Sequence, residues 1–161
     1  DQFVLATIHR PENTDHSYNL NSIFKGLETI AKEMKVVLPI HPRTRNILEK
    51  NQTNFNISFI DPVGYFDMLA LLKHCKLVVT DSGGLQKEAY FNQKYCIIAR
   101  EETEWIELVQ NGLAKIVGSD SKKLKEAFNF FKQNSFNSET QLYGNEVGEK
   151  IYTEIRSLLY S

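Results

Sequence analysis

The apolar residues of this chain follow two rhythms in turn. Short runs of four to six residues, almost unbroken, alternate with longer stretches whose apolar positions recur every three or four residues. Phe3-Val4-Leu5-Ala6-Thr7-Ile8 is the first short run, followed by Val36–Ile40, Ile57–Ile60, Leu77–Thr80, Cys96–Ala99 and Ala114–Val117. Between them, Leu20, Ile23, Phe24, Leu27, Ile30, Ala31 and Met34 lie at helical spacing. Further helices are expected over Arg43–Lys50, Tyr65–His74 (burying Phe66, Leu69 and Leu72), Gly84–Phe91, Glu104–Gln110 and Ser121–Lys132, the last capped by Asp120 or Ser121. After a polar stretch at Asn134–Gln141, Val147, Ile151, Ile155 and Leu158 mark a final amphipathic helix. Strands and helices that alternate one for one imply parallel pairing through right-handed crossovers. Runs apolar at every position fit a sheet covered on both faces. The expected fold class is α/β, a Rossmann-like doubly wound parallel sheet of about six strands.

A chain of 161 residues suits one domain with its own core. The net charge of −1 offers no basic field for a nucleic-acid backbone, so that partner is not expected. No apolar run approaches the roughly 18 residues of a membrane span. Cys75 and Cys96 lie in or beside apolar runs and read as reduced, buried thiols of a cytoplasmic protein. The first residues enter a strand pattern directly, so no signal peptide is expected. The lack of an initiator Met suggests a fragment of a longer chain.

In doubly wound sheets, ligands bind beyond the carboxyl ends of the strands. Four polar segments fall at such ends. Thr80-Asp81-Ser82-Gly83-Gly84-Leu85-Gln86-Lys87-Glu88 follows the fourth run and opens a helix. Free amides at a helix start hold phosphate oxygens, and two glycines let a ligand approach the backbone. Ser82 adds a hydroxyl, and Glu88 lies one turn on, where a carboxylate can take ribose hydroxyls. The plainer reading is a helix capped by Asp81 or Ser82 with no ligand. The dinucleotide fingerprint Gly-x-Gly-x-x-Gly is absent, which argues against NAD.

His9-Arg10-Pro11-Glu12-Asn13 follows the first run. An imidazole there can move a proton, and a guanidinium can grip a phosphate or carboxylate. The alternative is a solvated polar loop. His41-Pro42-Arg43 repeats the theme after the second run, without the Cys/His spacing of a metal site. His16, His74 and the cluster Lys122-Lys123-Lys125 read as solvated surface. Arg100-Glu101-Glu102-Thr103-Glu104-Trp105 follows the fifth run; a helix start explains its acids but not Arg100.

Taken in order, these segments, with Asp61-Pro62 and Tyr65, with Gly112, Val117 and Gly118, and with Tyr143-Gly144-Asn145, resemble the non-hydrolysing UDP-N-acetylglucosamine 2-epimerase family. The resemblance implies the second of two Rossmann-like domains in a glycosyltransferase-B-like enzyme, whose active site lies between the domains. It implies inversion at C2 of a UDP-linked 2-acetamido sugar by elimination and re-addition of UDP, with neither NAD nor metal. Ser82, Gly83 and Gly84 would hold the diphosphate and Glu88 the ribose. The stretch Val63 to Met68 would contact uridine, Arg10 and Arg100 would contact substrate, and His9 would assist the leaving group. Arg10 and His41 match positions that touch a second, regulatory UDP-sugar in some members. The family's catalytic carboxylates belong to the first domain, and its full-length members are commonly homodimers.

Two departures are visible. Lys87 stands where many members have Glu, and Thr103-Glu104-Trp105-Ile106-Glu107 replaces Thr-Glu-Arg-Pro-Glu. Loss of that Arg removes a charged contact for which Trp105 is no electrostatic substitute. Both changes resemble the branch acting on modified capsule or lipopolysaccharide sugars, including UDP-2,3-diacetamido sugars and their uronic acids. Two other readings compete: the donor-binding domain of a glycosyltransferase-B-fold glycosyltransferase, and a non-catalytic nucleotide-sugar sensor.

Overall fold

The structure, a computed structural model, describes residues 2–50, 54–136, 141–144 and 146–160. Asn145 and part of the polar stretch before the last helix lie outside the described residues. Six strands alternate with helices: β1 (Phe3–Thr7), α1 (Pro11–Thr14), α2 (Ser17–Ala31), β2 (Lys35–Pro39), α3 (Pro42–Lys50), β3 (Ser58–Ile60) and α4 (Tyr65–His74) form the first half. The second half comprises β4 (Leu77–Thr80), α5 (Gly83–Phe91), β5 (Tyr95–Ile98), α6 (Ile106–Gln110), β6 (Ala114–Ile116), α7 (Ser121–Gln133) and α8 (Val147–Tyr160).

All five strand pairings are parallel, in the order β3-β2-β1-β4-β5-β6. Alternate strand residues point to opposite faces, and this sorts the core into two layers. Val4, Ala6, Leu77, Val79 and Ile97 pack against α2 and α7 through Phe24, Leu27, Leu124 and Phe128. Leu5, Val78, Cys96 and Ile98 pack against α4, α5 and α6 through Leu72, Leu85 and Leu108. Both faces being covered explains why the central strands β1, β4 and β5 are almost wholly buried.

Helix α7 begins where Asp120 accepts from the backbone N–H groups of Lys122 and Lys123. Of the three lysines read as solvated, Lys125 instead pairs with Glu33 beyond the end of α2. Helix α4 spans the expected residues but leaves Phe66 out of the core. Phe66 is 83% exposed, whereas Leu72 is buried and Met68, Leu69 and Leu71 pack partly against the sheet. The buried face is turned away from Phe66 alone: Leu72 and Leu69 pack toward the sheet as expected, joined by Met68, Leu71 and Cys75. In α8, Val147, Ile151, Ile155 and Leu158 form the expected apolar stripe, yet all four are exposed. No described helix is long and apolar enough to cross a membrane.

Candidate functional site

The strand order reverses between β1 and β4. The chain leaves these two neighbours toward opposite faces of the sheet, which opens a crevice beyond their carboxyl ends. The Thr7 and Thr80 hydroxyls meet at 2.6 Å across the last rung. One residue further, Asp81 is completely buried. Its carboxylate accepts from the backbone N–H of His9 at 3.1 and 3.2 Å and from that of Arg10 at 3.0 Å. The Asn13 side-chain amide donates to Asp81 at 3.1 Å and to the Ala99 carbonyl at 2.9 Å. Asp81 thus folds the loop after β1 onto the end of β4, and Asn13 extends the seam to β5. The four-residue helix α1 carries Asn13 inward. Sequence reading took Asp81 only as a possible helix cap; the cap is Ser82, whose Oγ accepts from the Leu85 N–H at 3.4 Å.

The crevice holds a cavity of about 400 Å³ lined by His9, His41, Met68, Ser82, Gly84 and Glu88, with Pro62 and Val63 on the apolar side. Six of the candidate residues therefore share one wall. The Gly83 and Gly84 amides, the first two of α5, have no acceptor among the described residues. A Cβ on Gly84 would meet nothing within 4 Å. Free amides at a helix start can accept an anion.

Arg10 and Arg100 do not share that cavity. With Asn13, Glu101, Glu102 and Gly118 they line a neighbouring one of about 210 Å³, so Arg10 and His41 line different hollows. Arg100 donates to both oxygens of Glu104 at 2.9 and 2.8 Å, and Arg10 stands 3.9 Å away. The Glu104 carboxyl is held below its ordinary range, first by its own backbone N–H and then by Arg100. It lies 3.1 Å from where a Cβ on Gly83 would sit. One side of the helix start is therefore covered by a half-exposed carboxylate, while the Gly84 side is open.

A family profile described as UDP-N-acetylglucosamine 2-epimerase matches residues 1–156. The chain belongs to the UDP-N-acetylglucosamine 2-epimerase family. It is 44% identical over 145 residues to a Pseudomonas aeruginosa protein named UDP-2,3-diacetamido-2,3-dideoxy-D-glucuronate 2-epimerase, covering 89% of this chain and 41% of that protein. A Methanococcus maripaludis UDP-N-acetylglucosamine 2-epimerase homolog is 39% identical, covering 98% of this chain and 45% of its own. The chain thus spans less than half the length of these curated relatives. The structure of the Methanocaldococcus jannaschii UDP-GlcNAc 2-epimerase in complex with UDP-GlcNAc and UDP superposes with a TM-score of 0.85 at 34% identity, covering 100% of this chain and 46% of that one.

Within this 2-epimerase family chain the two sequence departures meet each other. The Lys87 ammonium lies over the Trp105 ring and also over Tyr143. Trp105 supplies no positive charge in place of that Arg; its ring face instead receives the Lys87 cation. Trp105 Nε1–H also donates to the Gly83 carbonyl at 2.8 Å. Tyr143 donates to Glu107 at 2.7 Å, and burial together with that carboxylate holds its hydroxyl above the ordinary range. The cluster ties the loop after β5 to the first turn of α5.

Proposed function

We propose that this chain is the nucleotide-sugar-binding domain of a UDP-sugar 2-epimerase whose first domain lies elsewhere in a longer protein. The observation that carries the reading is the crevice between β1 and β4. There Gly84, whose amide is unpartnered among the described residues, lines one cavity with Ser82, Glu88 and His9. A diphosphate fits the Gly83 and Gly84 amides, where the helix end favours negative charge. Glu88, one turn along, is placed for ribose hydroxyls, and Val63 and Met68 offer an apolar wall for the base.

The substrate class proposed is a UDP-linked 2-acetamido sugar, UDP-GlcNAc or a diacetamido relative. In the proposed reaction a carboxylate of the first domain removes the C2 proton, and the C1–O bond to UDP breaks to give a glycal. UDP then adds back as C2 is reprotonated on the opposite face. His9 lines the same cavity as the helix start and would neutralise charge on the departing diphosphate. The full-length protein is proposed to be cytoplasmic and homodimeric, and to need neither metal nor nicotinamide.

The test uses full-length protein and UDP-GlcNAc in deuterated water. The expected result is the C2 epimer with deuterium at C2, together with calorimetric binding of UDP. His9→Asn is expected to lower kcat by roughly 10²–10⁴-fold with the Michaelis constant little changed. Absence of UDP binding at millimolar nucleotide would count decisively against the reading.

A further inference from the structure

The seam around Asp81 does more than fasten a loop. His9 Nδ1 stands 3.4 Å from Asp81 Oδ1, with the carboxylate wholly buried and the imidazole half exposed. The other carboxylate oxygen, Oδ2, is the better satisfied of the two. It accepts from the His9 N–H, the Arg10 N–H and the Asn13 amide. Three N–H donors converge on this buried oxygen, so Asp81 serves here as an acceptor. A carboxylate oxygen 3.4 Å from Nδ1 favours a proton on that nitrogen over a lone pair facing the oxygen. Nε2 is then the ring nitrogen without a partner among the described residues, on a residue that lines the cavity.

We propose that Asp81 is a positioning residue that fixes the ring orientation and tautomer of His9, so that Nε2 is the atom on which a proton comes and goes. This rests on the reading of His9 as the group that attends the leaving diphosphate. With substrate bound, Nε2 takes a proton from solvent, and the carboxylate behind Nδ1 stabilises the resulting imidazolium. Its Nε2 proton hydrogen-bonds to the departing UDP oxygen and returns to solvent after UDP has added back. When UDP returns and its oxygen bonds to C1, the same ring keeps its Nδ1 proton and its alignment.

The proposal makes an unusual demand of Asp81→Asn. The amide oxygen will take the Oδ2 position, where three donors converge. The amide nitrogen then falls at Oδ1, facing Nδ1 with a donor instead of an acceptor. The substitution should therefore reverse the tautomer, placing the proton on Nε2, rather than merely weaken a contact.

The experiment is a long-range proton–nitrogen spectrum of full-length protein labelled with nitrogen-15 at histidine, with His9 assigned by comparison with His9→Asn. At a pH high enough to leave the ring neutral, the expected result for the unmodified protein is a proton on Nδ1. For Asp81→Asn it is a ring protonated at Nε2. The same variant is expected to lose roughly 10²–10⁴-fold in kcat, with the Michaelis constant within about threefold of the unmodified enzyme. An Nε2-protonated ring in the unmodified protein overturns the proposal, as does a folded Asp81→Asn enzyme of full kcat. If Asp81→Asn fails to fold, the unmodified spectrum alone decides. Failure of the unmodified full-length enzyme to epimerise any UDP-2-acetamido sugar would remove the epimerase reading while leaving the tautomer result intact.

Discussion

The Lys87 ammonium sits 4.2 Å from the centre of the Trp105 ring, and 4.4 Å from that of Tyr143. The contact joins a cation to two aromatic faces and is electrostatic in character. Lys87→Glu is expected to destabilise the domain by about 0.5–1 kcal/mol, since the carboxylate then faces the negative ring surfaces. Adding Trp105→Arg should recover part of that loss. A double-mutant cycle in urea tests this; strictly additive effects would show that the two side chains are not coupled.

Gly84 separates folding from binding. A methyl group there meets no atom within 4 Å, and the residue lies in the first turn of α5. Gly84→Ala should leave the melting temperature unchanged or slightly raised. It should weaken UDP by about tenfold or more, because the methyl intrudes where the diphosphate would lie against the amides. Calorimetry and thermal melts on the same sample check both halves. Unchanged affinity would move the diphosphate away from this helix start.

Glu33 supplies a pH signature of the contact between α2 and α7. It bonds both Lys125 and Lys132, which lower its carboxyl from 4.5 to about 2. A depressed folded-state value means that the stabilisation is complete above about 4.5 and is lost as pH falls toward 2. The melting temperature of Glu33→Gln should therefore lie below that of the unmodified protein at pH 6, and the gap should close between pH 4.5 and 2. A gap independent of pH would mean that the pair contributes through packing alone.

Both cysteines are buried and unpaired. Burial pushes the Cys75 thiol up to about 11 and raises that of Cys96 further. Thiol reagents at pH 8 should label neither residue in the native protein and both in denaturant, since the thiolate is the reacting form. Rapid native labelling of Cys96 would show that the layer over β5 opens readily.

The fold was legible because a sheet covered on both faces leaves apolar runs at every strand. Each expected run overlaps the observed strand to within about two residues at either end. What escaped were features that depend on knowing which strands are neighbours. Asp81 looks like a helix cap until β1 and β4 lie side by side; only then do the amides of His9 and Arg10, some seventy positions away, converge on it. Helix α1 escaped because four residues are too few to show a period. Phe66 was placed in the core by spacing alone, but α4 meets the sheet along a stripe that passes it by. The helix start at Ser82, Gly83 and Gly84, with Glu88 one turn on, was readable because a strand end followed by a glycine pair and a helix is a local signal. The division of Arg10 and His41 between two hollows was not, since it depends on the course of the β5–α6 loop.

The seam between β1 and β4 divides the chain into two consecutive halves, β1 to α4 and β4 to α8. Each brings one jaw: His9 and His41 from the first, Ser82 and Glu88 from the second. The proposed nucleotide, seated there, would act as a rivet through both plates. Cutting the chain between His74 and Leu77 should leave two pieces that bind nothing apart and regain the ligand only when they reassociate. Saturating nucleotide should then hold the severed halves together.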